Sequence, residues 1–303
     1  MKLSQDNWDT LKRHGFCHLK SIFPRNELPY HGEISQSISE SSRTIEDIPK
    51  DLQSFLATEV VTTFDEAKSN LKLNLSKDFE FCAIHIYPQQ PDRVLQANPG
   101  YHSDPIIARN GALDWHLDHG SYYLHRDHTN RLIFYFPIFK ETKDKGNLAL
   151  IPKDALMKID PFTARKVEGR GALRFRVVEP DTIEWFKRRF QTNKLAVGEW
   201  FAIEDYYDDN PGWQLSFDPE KEKIVPELAV GDCLIMRADV IHKTNDSNIE
   251  RISVRCDFPP RIRFVDNPTI RKILLGLRII FGSKKAAYYL TRTYSEARDK
   301  QRT

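Results

Sequence analysis

Apolar and polar positions change period several times along the chain, and each change predicts a different element. Near the N-terminus, Trp8 and Leu11 fall on one face of a helical repeat. Ser4 is a favourable N-cap and Gly15 a favourable terminator, so a short helix is predicted between them. The segment FCHLKSIF that follows predicts a strand, and from about 28 to 77 the spacing is mostly helical apart from a serine-rich loop.

Strand patterns dominate the middle and the end of the chain. The segment FEFCAIHIYP predicts a strand, RLIFYFPIF is apolar throughout as a strand buried on both faces would be, and LALIP continues in an extended run. Towards the end, CLIMRADVIH predicts one buried strand that ends on a histidine, and RISVRCDF predicts the last strand. These strands follow a helical N-terminal third, and no glycine-rich phosphate loop follows any of them. The pattern favours a double-stranded β-helix (jelly roll) with flanking helices over a parallel α/β fold.

Residues 154–225 interrupt this pattern and predict an insertion. They contain one well-defined helix, DTIEWFKRRF, and an aromatic, acidic segment, GEWFAIEDYYDDNPGWQLSF. That segment predicts either a lid over a pocket or a satellite hydrophobic cluster that packs the insertion. The aromatic residues concerned are Trp200, Phe201, Tyr206, Tyr207 and Trp213. The expected organisation is one domain over 1–258, with a helical part at 1–77 and a core over about 78–258, followed by a tail at 259–303.

The composition is that of an ordinary globular protein, with 303 residues, of which 40% are hydrophobic and 29% charged. The four cysteines form no CxxC pair, which argues against a zinc ribbon or a disulfide scaffold and favours a reducing compartment. The polar N-terminus does not resemble a signal peptide, and no window reaches the ~18 uncharged apolar residues of a spanning helix. A cytoplasmic location is therefore expected.

The net charge of +2 hides a basic C-terminal tail. Residues 260–303 contain eleven Lys/Arg against three Asp/Glu, and the segment 268–303 carries an apolar stripe at helical spacing. Such a segment is typical of an amphipathic helix on an anionic membrane surface, and it is equally compatible with packing on the core or with a dimer contact. A peripheral membrane contact is thus one hypothesis for the function of the tail. Nucleic-acid binding is disfavoured, because aromatic and basic residues do not interleave on the strands.

Histidines are concentrated in one part of the chain. Five of the ten fall between His102 and His128, and three of these begin a His-x-Asp pattern. In chain order the three pairs are His102/Asp104, His116/Asp118 and His125/Asp127. On a strand, residues i and i+2 face the same side, so each pair directs an imidazole and a carboxylate at one point. A histidine from a neighbouring strand would complete a facial site that suits non-haem Fe(II); the alternative is that all these histidines are surface or hydrogen-bonding side chains.

Spacing favours the middle pair as the candidate metal pair. Twelve residues separate it from the strand RLIFYFPIF, which is enough for a loop, and a glycine follows it closely. The third pair leaves only three residues, as a tight turn would, and the first pair lies beside a proline in a predicted loop. The third pair, His125/Asp127, remains the alternative.

The stretch GDCLIMRADVIH, which ends at His242, is the most informative in the chain. Arg251 lies on the next predicted strand, so an imidazole and a guanidinium are expected to face one cavity. An arginine in a barrel interior requires an anion, and its fork binds a carboxylate with two hydrogen bonds. Arg255 shares that strand at even spacing and is predicted to face the same side. Taken alone, His242 fits a core histidine and Arg251 a surface arginine.

Together these residues resemble the phytanoyl-CoA dioxygenase-like family of Fe(II)/2-oxoglutarate-dependent oxygenases. The segments WHLD, RLIFYFPIF and GNLALIP are similar to the family's WHxD, W-x-P-L and NGxLxxxPGSH, and GDCLIMRADVIHKTNDSN…R is similar to its GDxxxFxxxxxHxSxxNxS…R ending. The opening WDTLKRHGFCHLKSIFPRNEL is similar to the family's helix, "GF" and strand. The resemblance covers roughly residues 7–30, 112–153 and 228–258.

The resemblance implies a jelly-roll core, an Fe(II) cofactor, 2-oxoglutarate as co-substrate and O2 as oxidant. It implies three iron ligands, His116, Asp118 and His242. It also implies three residues at the co-substrate: Arg251 on the distal carboxylate, Thr244 nearby and Tyr135 lining the pocket. The expected activity is that of a dioxygenase that hydroxylates a small-molecule or lipid-linked substrate, and the alternative is a non-catalytic jelly-roll binding protein.

The chain departs from the family in two places. PKDAL stands where the family has PGSH, and the segment 154–225 is long. Both lie where such enzymes shape the substrate pocket, so the resemblance does not imply a particular substrate. Asp118 keeps the carboxylate, which argues against the halogenating variants that lack it.

Overall fold

A computed structural model describes residues 3–22, 54, 56–71, 81–87, 114–118, 129, 131–204, 212–246 and 249–258. The tail, with its expected membrane contact, and the first and third His-x-Asp pairs lie outside these residues. The predictions made for them therefore stay predictions.

The described part of the chain forms two antiparallel sheets. In chain order the strands are β1 (Phe16–Leu19), β2 (Phe81–Tyr87), β3 (His116–Leu117), β4 (Leu132–Lys140), β5 (Leu148–Leu150), β6 (Leu173–Val177), β7 (Trp200–Glu204), β8 (Trp213–Gln214), β9 (Cys233–Arg237), β10 (His242–Thr244) and β11 (Arg251–Phe258). The first sheet has five strands in the order β1-β9-β4-β11-β2, and the second has six in the order β5-β10-β3-β6-β7-β8.

Successive strands of the core alternate between the two sheets. Strands β2, β4, β9 and β11 belong to the five-stranded sheet, whereas β3, β5 and β10 belong to the six-stranded sheet. A chain that repeatedly crosses between two facing antiparallel sheets builds a jelly roll. The predicted double-stranded β-helix with flanking helices is therefore confirmed.

Helices cover the outer face of the five-stranded sheet. Helix α1 (Gln5–His14) is capped by the Ser4 side chain, which accepts a hydrogen bond from the Asn7 amide, and Gly15 ends it with φ 82°. Helix α2 (Val61–Asn70) follows a π-helical turn at Leu56–Val60. The rings of Phe64 in α2 and Phe258 in β11 stack with centroids 3.8 Å apart. The helix predicted between Ser4 and Gly15 is confirmed.

Strands β4 and β11 separate this outer core from the interior of the jelly roll. In β4, Phe134 and Phe136 join the outer core, whereas Ile133 and Tyr135 join the apolar cluster between the sheets. In β11 the outer-core residues are Ile252, Val254, Cys256 and Phe258. The residues that alternate with them, and therefore face the interior, are Arg251, Ser253, Arg255 and Asp257.

The prediction of one strand over CLIMRADVIH was wrong, because the segment contains two strands in different sheets. Strand β9 ends at Arg237, whose guanidinium binds the Asp239 carboxylate through Nε (2.9 Å) and through a terminal nitrogen (2.7 Å). The Val240 amide also donates to the Arg237 carbonyl, which closes a turn. The two charged residues thus interrupt the apolar run, and His242 begins β10 instead of ending β9.

Residues 154–225 are more regular than predicted. The predicted helix DTIEWFKRRF is confirmed, and strands β6, β7 and β8 extend the six-stranded sheet beyond β3. The helices of this part are α3 (Lys153–Ile159), α4 (Pro161–Val167), α5 (Ile183–Phe190) and α6 (Pro219–Glu222). Strand β6 was not predicted from the sequence, although the alternation of apolar and charged residues in LRFRV is typical of a strand.

The aromatic residues of this part support the packing interpretation over the lid. Phe201 lies in β7 and packs on α5, with ring centroids 5.3 Å from Phe186 and 4.5 Å from Phe190. Trp200 and Trp213 pack against the apolar cluster on the outer face of the six-stranded sheet. The tyrosines at 206 and 207 lie outside the described residues. Of the helices that the structure describes, none combines the length and apolar character needed to cross a bilayer.

Candidate metal centre

Two neighbouring strands bring the candidate metal ligands together. His116 begins β3, Asp118 directly follows that strand, and His242 begins β10. His116 and His242 are direct cross-strand partners, so their side chains leave the sheet on the same face. Their ring centroids are 4.4 Å apart, and both residues are more than nine-tenths buried.

The carboxylate of Asp118 lies between the two imidazoles. Its Oδ1 is 3.8 Å from His116 Nε2, and its Oδ2 is 3.6 Å from His242 Nε2. One ligand atom from each of the three residues lies within 4.8 Å of the others. The structure therefore brings His116, Asp118 and His242 to one point inside the jelly roll.

Backbone carbonyls fix the orientation of both imidazoles. His116 Nδ1 lies 2.6 Å from the Asp114 carbonyl, and His242 Nδ1 lies 2.9 Å from the Val240 carbonyl. A carbonyl can only accept, so Nδ1 carries the proton on each ring. A neutral imidazole then presents its Nε2 lone pair towards Asp118, which is the arrangement of a metal-ligating histidine.

Burial keeps both imidazoles neutral. Desolvation lowers the pKa of His116 well below its ordinary value, and the charges of His242 and Arg174 lower it further. Desolvation also lowers the pKa of His242. Burial alone would raise the pKa of Asp118, but Arg255 and the two histidines outweigh it and hold that pKa well below its ordinary value. At neutral pH the site therefore presents two neutral nitrogen donors and one carboxylate.

The two oxygens of Asp118 have different surroundings. Oδ1 accepts a hydrogen bond from an Arg255 terminal nitrogen at 2.9 Å, whereas Oδ2 is buried and has no hydrogen-bond partner among the described residues. Buried carboxylate oxygens normally have a partner. An orphaned oxygen that faces an imidazole lone pair fits a cation between them, and two histidines with one carboxylate suit Fe(II).

Arg255 is held in place by a second carboxylate. Its Nε and its other terminal nitrogen donate to the two oxygens of Asp257, each at 2.7 Å, and Arg131 donates to Asp257 at 3.2 Å. The spacing along the sequence predicted the side of the strand on which Arg255 lies but not its ion pair with Asp257. The polar alternation along β11 is the signal that finds both residues.

The co-substrate residues that the resemblance implies come from both sheets. Arg251 is fully buried at the start of β11, and one of its terminal nitrogens donates to the Gly146 carbonyl. Thr244 is buried in β10 two residues after His242, which places it about 7 Å further along the strand. Tyr135 is buried in β4 and is the cross-strand partner of Arg255, the arginine that contacts Asp118.

A glutamate from α6 connects the residues that flank the two histidines. Glu220 accepts a hydrogen bond from the Trp115 indole at 2.7 Å and forms ion pairs with Lys243 and, at 2.8 Å, with Lys223. Burial opposes its ionisation, but these contacts outweigh burial and lower the pKa of Glu220 to about 2. No motif in the sequence signals this contact, because it joins residues far apart in the chain.

Comparisons with known proteins find distant likenesses among solved structures. No family model matches it, and no curated protein matches it. Among solved structures, EvdO2 from Micromonospora carbonacea var. aurantiaca is 14% identical with a TM-score of 0.46, over 87% of this chain and 94% of that one. HygX from Streptomyces hygroscopicus, with nickel and 2-oxoglutarate bound, is 9% identical with a TM-score of 0.46, over 86% and 88%.

A third neighbour is the non-haem α-ketoglutarate-dependent epimerase SnoN from nogalamycin biosynthesis. It is 12% identical with a TM-score of 0.45, over 86% of this chain and 88% of that chain. These likenesses are distant. The fold of this chain is defined by its own strand order, and the candidate site by the three converging side chains.

Proposed function

We propose that this chain is an Fe(II)- and 2-oxoglutarate-dependent oxygenase whose metal ligands are His116, Asp118 and His242. The observation that carries the proposal is the buried Oδ2 of Asp118, which faces the Nε2 lone pair of His242 at 3.6 Å without a hydrogen bond. Two acceptors that face each other away from water repel unless a cation lies between them. A facial set of two nitrogens and one oxygen leaves positions for a bidentate 2-oxo acid and O2.

The chain's own residues would bind and orient the co-substrate. Arg251 would hold the distal carboxylate of 2-oxoglutarate, since a buried guanidinium binds a carboxylate with two hydrogen bonds. Thr244 would supply a hydroxyl beside it, and Tyr135 would line the pocket. Ser253 supports a ligand in this space, because its hydroxyl is fully buried between the two inner arginines of β11 and has no hydrogen-bond partner in the described part of the chain.

Iron and 2-oxoglutarate would supply the oxidising chemistry. In the balanced reaction, O2, the 2-oxo acid and a substrate C–H group give succinate, CO2 and a C–OH group. The protein contributes a fixed ligand geometry and an interior that combines the apolar cluster between the sheets with the polar side chains of β11. The proposed reaction is hydroxylation of a small-molecule or lipid-linked substrate.

The metal assignment is tested by anaerobic titration with Fe(II) and 2-oxoglutarate, monitored by the weak visible charge-transfer band of that complex. The wild-type chain is expected to show the band, and the variants His116→Ala and His242→Ala to lose it. The control His14→Ala should retain it, because His14 lies on α1 and contacts Asp154 instead of the site. The variant His125→Ala should also retain it; loss of the band in that variant would favour the alternative pair.

The reaction type is tested with O2 labelled with heavy oxygen. Succinate release from 2-oxoglutarate reports turnover, and label in the substrate product distinguishes hydroxylation from epimerisation or ring closure, which leave the product without it. A wild-type chain that binds neither Fe(II) nor 2-oxoglutarate would instead indicate the non-catalytic jelly-roll binding protein.

A further inference from the structure

Next to Arg251, the interior of the jelly roll contains another buried cation, Lys140. Lys140 is the last residue of β4 and is 7% exposed, and its direct cross-strand partner is Arg251 of β11. Cross-strand partners lie on the same face of a sheet, with Cβ atoms about 5 Å apart. A lysine and an arginine therefore point together into the space between the sheets.

A bulge in β4 gives Lys140 this direction. Ile252 pairs with Phe139 and Ser253 with Pro137, so Ile138 has no partner in β11. The extra residue shifts the alternation, and both Ile138 and Phe139 pack against the outer core. Without the bulge, the side chain at 140 would leave the sheet on the opposite face.

Both cations reach the same short turn before β5. The Lys140 ammonium donates to the Asn147 side-chain oxygen at 2.6 Å and to the Lys143 carbonyl at 3.2 Å, and Arg251 donates to the Gly146 carbonyl. Both of these partners of Lys140 are neutral, and Lys140 forms no ion pair with any residue that the structure describes.

Burial and the neighbouring guanidinium both oppose the positive charge of Lys140. Burial, followed by the charge of Arg251, lowers the pKa of Lys140 to about 8, against an ordinary value of 10.5, and this shift remains although the charges of three carboxylates act against it (Asp144, Asp232 and Glu227). Two like charges placed side by side away from water destabilise each other, and a carboxylate between them removes that cost. The turn leaves room for the guanidinium because a Cβ on Gly146 would lie 3.1 Å from Arg251 Cδ.

We propose that Lys140 and Arg251 together form a two-cation subsite for the distal carboxylate of the 2-oxo acid, and that Lys140 sets the preference for a dicarboxylate co-substrate. This inference rests on the proposed function, since it assigns one end of the same co-substrate. The guanidinium supplies two-pronged recognition, and the ammonium adds a point charge on the other side of the carboxylate.

The inference is tested by calorimetric titration of the Co(II)-loaded full chain with two 2-oxo acids of equal length. One is 2-oxoglutarate, and the other is 2-oxopentanoate, which lacks the distal carboxylate. In Lys140→Gln, which keeps a donor for Asn147 but removes the charge, the preference for 2-oxoglutarate should fall about 10- to 100-fold. The affinity for 2-oxopentanoate should change less than about 2-fold. Lys140→Arg should retain most of the preference, and Lys143→Gln, an exposed neighbour, should retain all of it.

The outcomes separate the two proposals. If Lys140→Gln keeps the full preference while Arg251→Gln loses it, the subsite contains the arginine alone and the inference is overturned, whereas the proposed function stands. If the wild-type chain binds neither 2-oxo acid, both fail. If Lys140→Gln does not bind Co(II), its fold is damaged, and Lys140→Met then provides the same comparison. A lysine that only braces the turn would weaken both ligands equally, and this result would also overturn the inference.

Discussion

Asp118 shows how much the two atoms of one functional group can differ. Arg255 donates a hydrogen bond to one oxygen, whereas the other lies 3.6 Å from His242 Nε2 and has no hydrogen-bond partner in the described part of the chain. A carboxylate held in this way can offer a single oxygen to a metal while the second stays hydrogen-bonded, which fixes its angle. Arg255 is therefore a positioning residue for the proposed iron ligand.

Replacement of Arg255 by methionine should weaken metal binding without removing a ligand. The expected loss is about 10- to 100-fold in Co(II) affinity, the usual effect of removing a hydrogen-bonding partner of a ligand. Arg255→Lys should recover part of it, because an ammonium still reaches one oxygen but lacks the fork. The Co(II) absorption spectrum in Arg255→Met should shift as well, which a purely structural arginine would not cause.

The matched control for this experiment is Arg165→Met. Arg165 lies on α4, and its Nε donates to the exposed Pro161 carbonyl on the same helix. Equal Co(II) affinity and equal spectra in the wild type, Arg165→Met and Arg255→Met would contradict the positioning role.

At the residue scale the sequence predicted side-chain direction better than contact. Even spacing on β11 correctly placed Arg251 and Arg255 on one face. The partners of these arginines, Gly146 for one and Asp118 with Asp257 for the other, depend on how strands from distant parts of the chain align. No local pattern encodes that alignment, and the same is true of Lys140, whose direction depends on a single bulge.

Among the elements, α6 has an influence that its four residues do not suggest. Through Glu220 it contacts Trp115 and Lys243, the residues next to the two candidate histidine ligands. Trp115 and the Lys243 ammonium also form a cation–π pair, with the nitrogen 5.3 Å from the ring centroid. The helix thus braces β3 and β10 against each other from the outer side of their sheet.

Glu220→Gln should destabilise the protein in a pH-dependent way. The folded-state pKa of about 2 lies below the ordinary 4.5, so the charged contacts contribute fully above about pH 5 and are lost as the pH falls towards 2. Because the carboxylate is 38% exposed, the expected loss of unfolding free energy at neutral pH is about 1 kcal/mol.

Urea unfolding of the wild type and Glu220→Gln, near pH 7 and again near pH 3, measures this effect. The difference between the two proteins should shrink at the lower pH. Glu222→Gln on the same helix is the control and should behave like the wild type at both. A difference that is independent of pH would show that the ion pairs of Glu220 do not stabilise the fold.

Elements were predictable where one period continues without interruption. The uniformly apolar β4 and the capped α1 both lie where the sequence places them. The prediction of a single strand through the segment after β9 was wrong, because Arg237 and Asp239 close a turn inside what looks like one apolar run. A residue pair that favours a turn only through its tertiary setting cannot be separated from a strand by periodicity alone.

At the scale of the whole molecule, metal binding should be coupled to global stability. The three candidate ligands lie on or directly after two neighbouring strands, β3 and β10. Strand β3 is only two residues long in the structure. An ion that binds only the folded chain stabilises it by about 2.7 kcal/mol at a concentration 100 times its dissociation constant.

Thermal denaturation with and without Co(II) tests this coupling. The wild-type chain and His14→Ala should be stabilised to the same extent, whereas His242→Ala should show no shift. A shift that survives in His242→Ala would place the metal elsewhere. The same measurement on a chain truncated before residue 259 would show whether 1–258 is a self-sufficient domain, as the sequence predicts.

The two ends of the proposed ligand space belong to opposite layers of the sandwich. The histidines stand on the six-stranded layer, and the cationic pair at Lys140 and Arg251 stands on the five-stranded layer. A diacid bound at both ends would consequently span the two layers, and its fit would depend on the distance between them. Substitutions that widen this gap would raise the co-substrate concentration needed for half-occupancy while leaving metal uptake unchanged, so the spacing of the layers would set the co-substrate range over which the proposed oxygenase works.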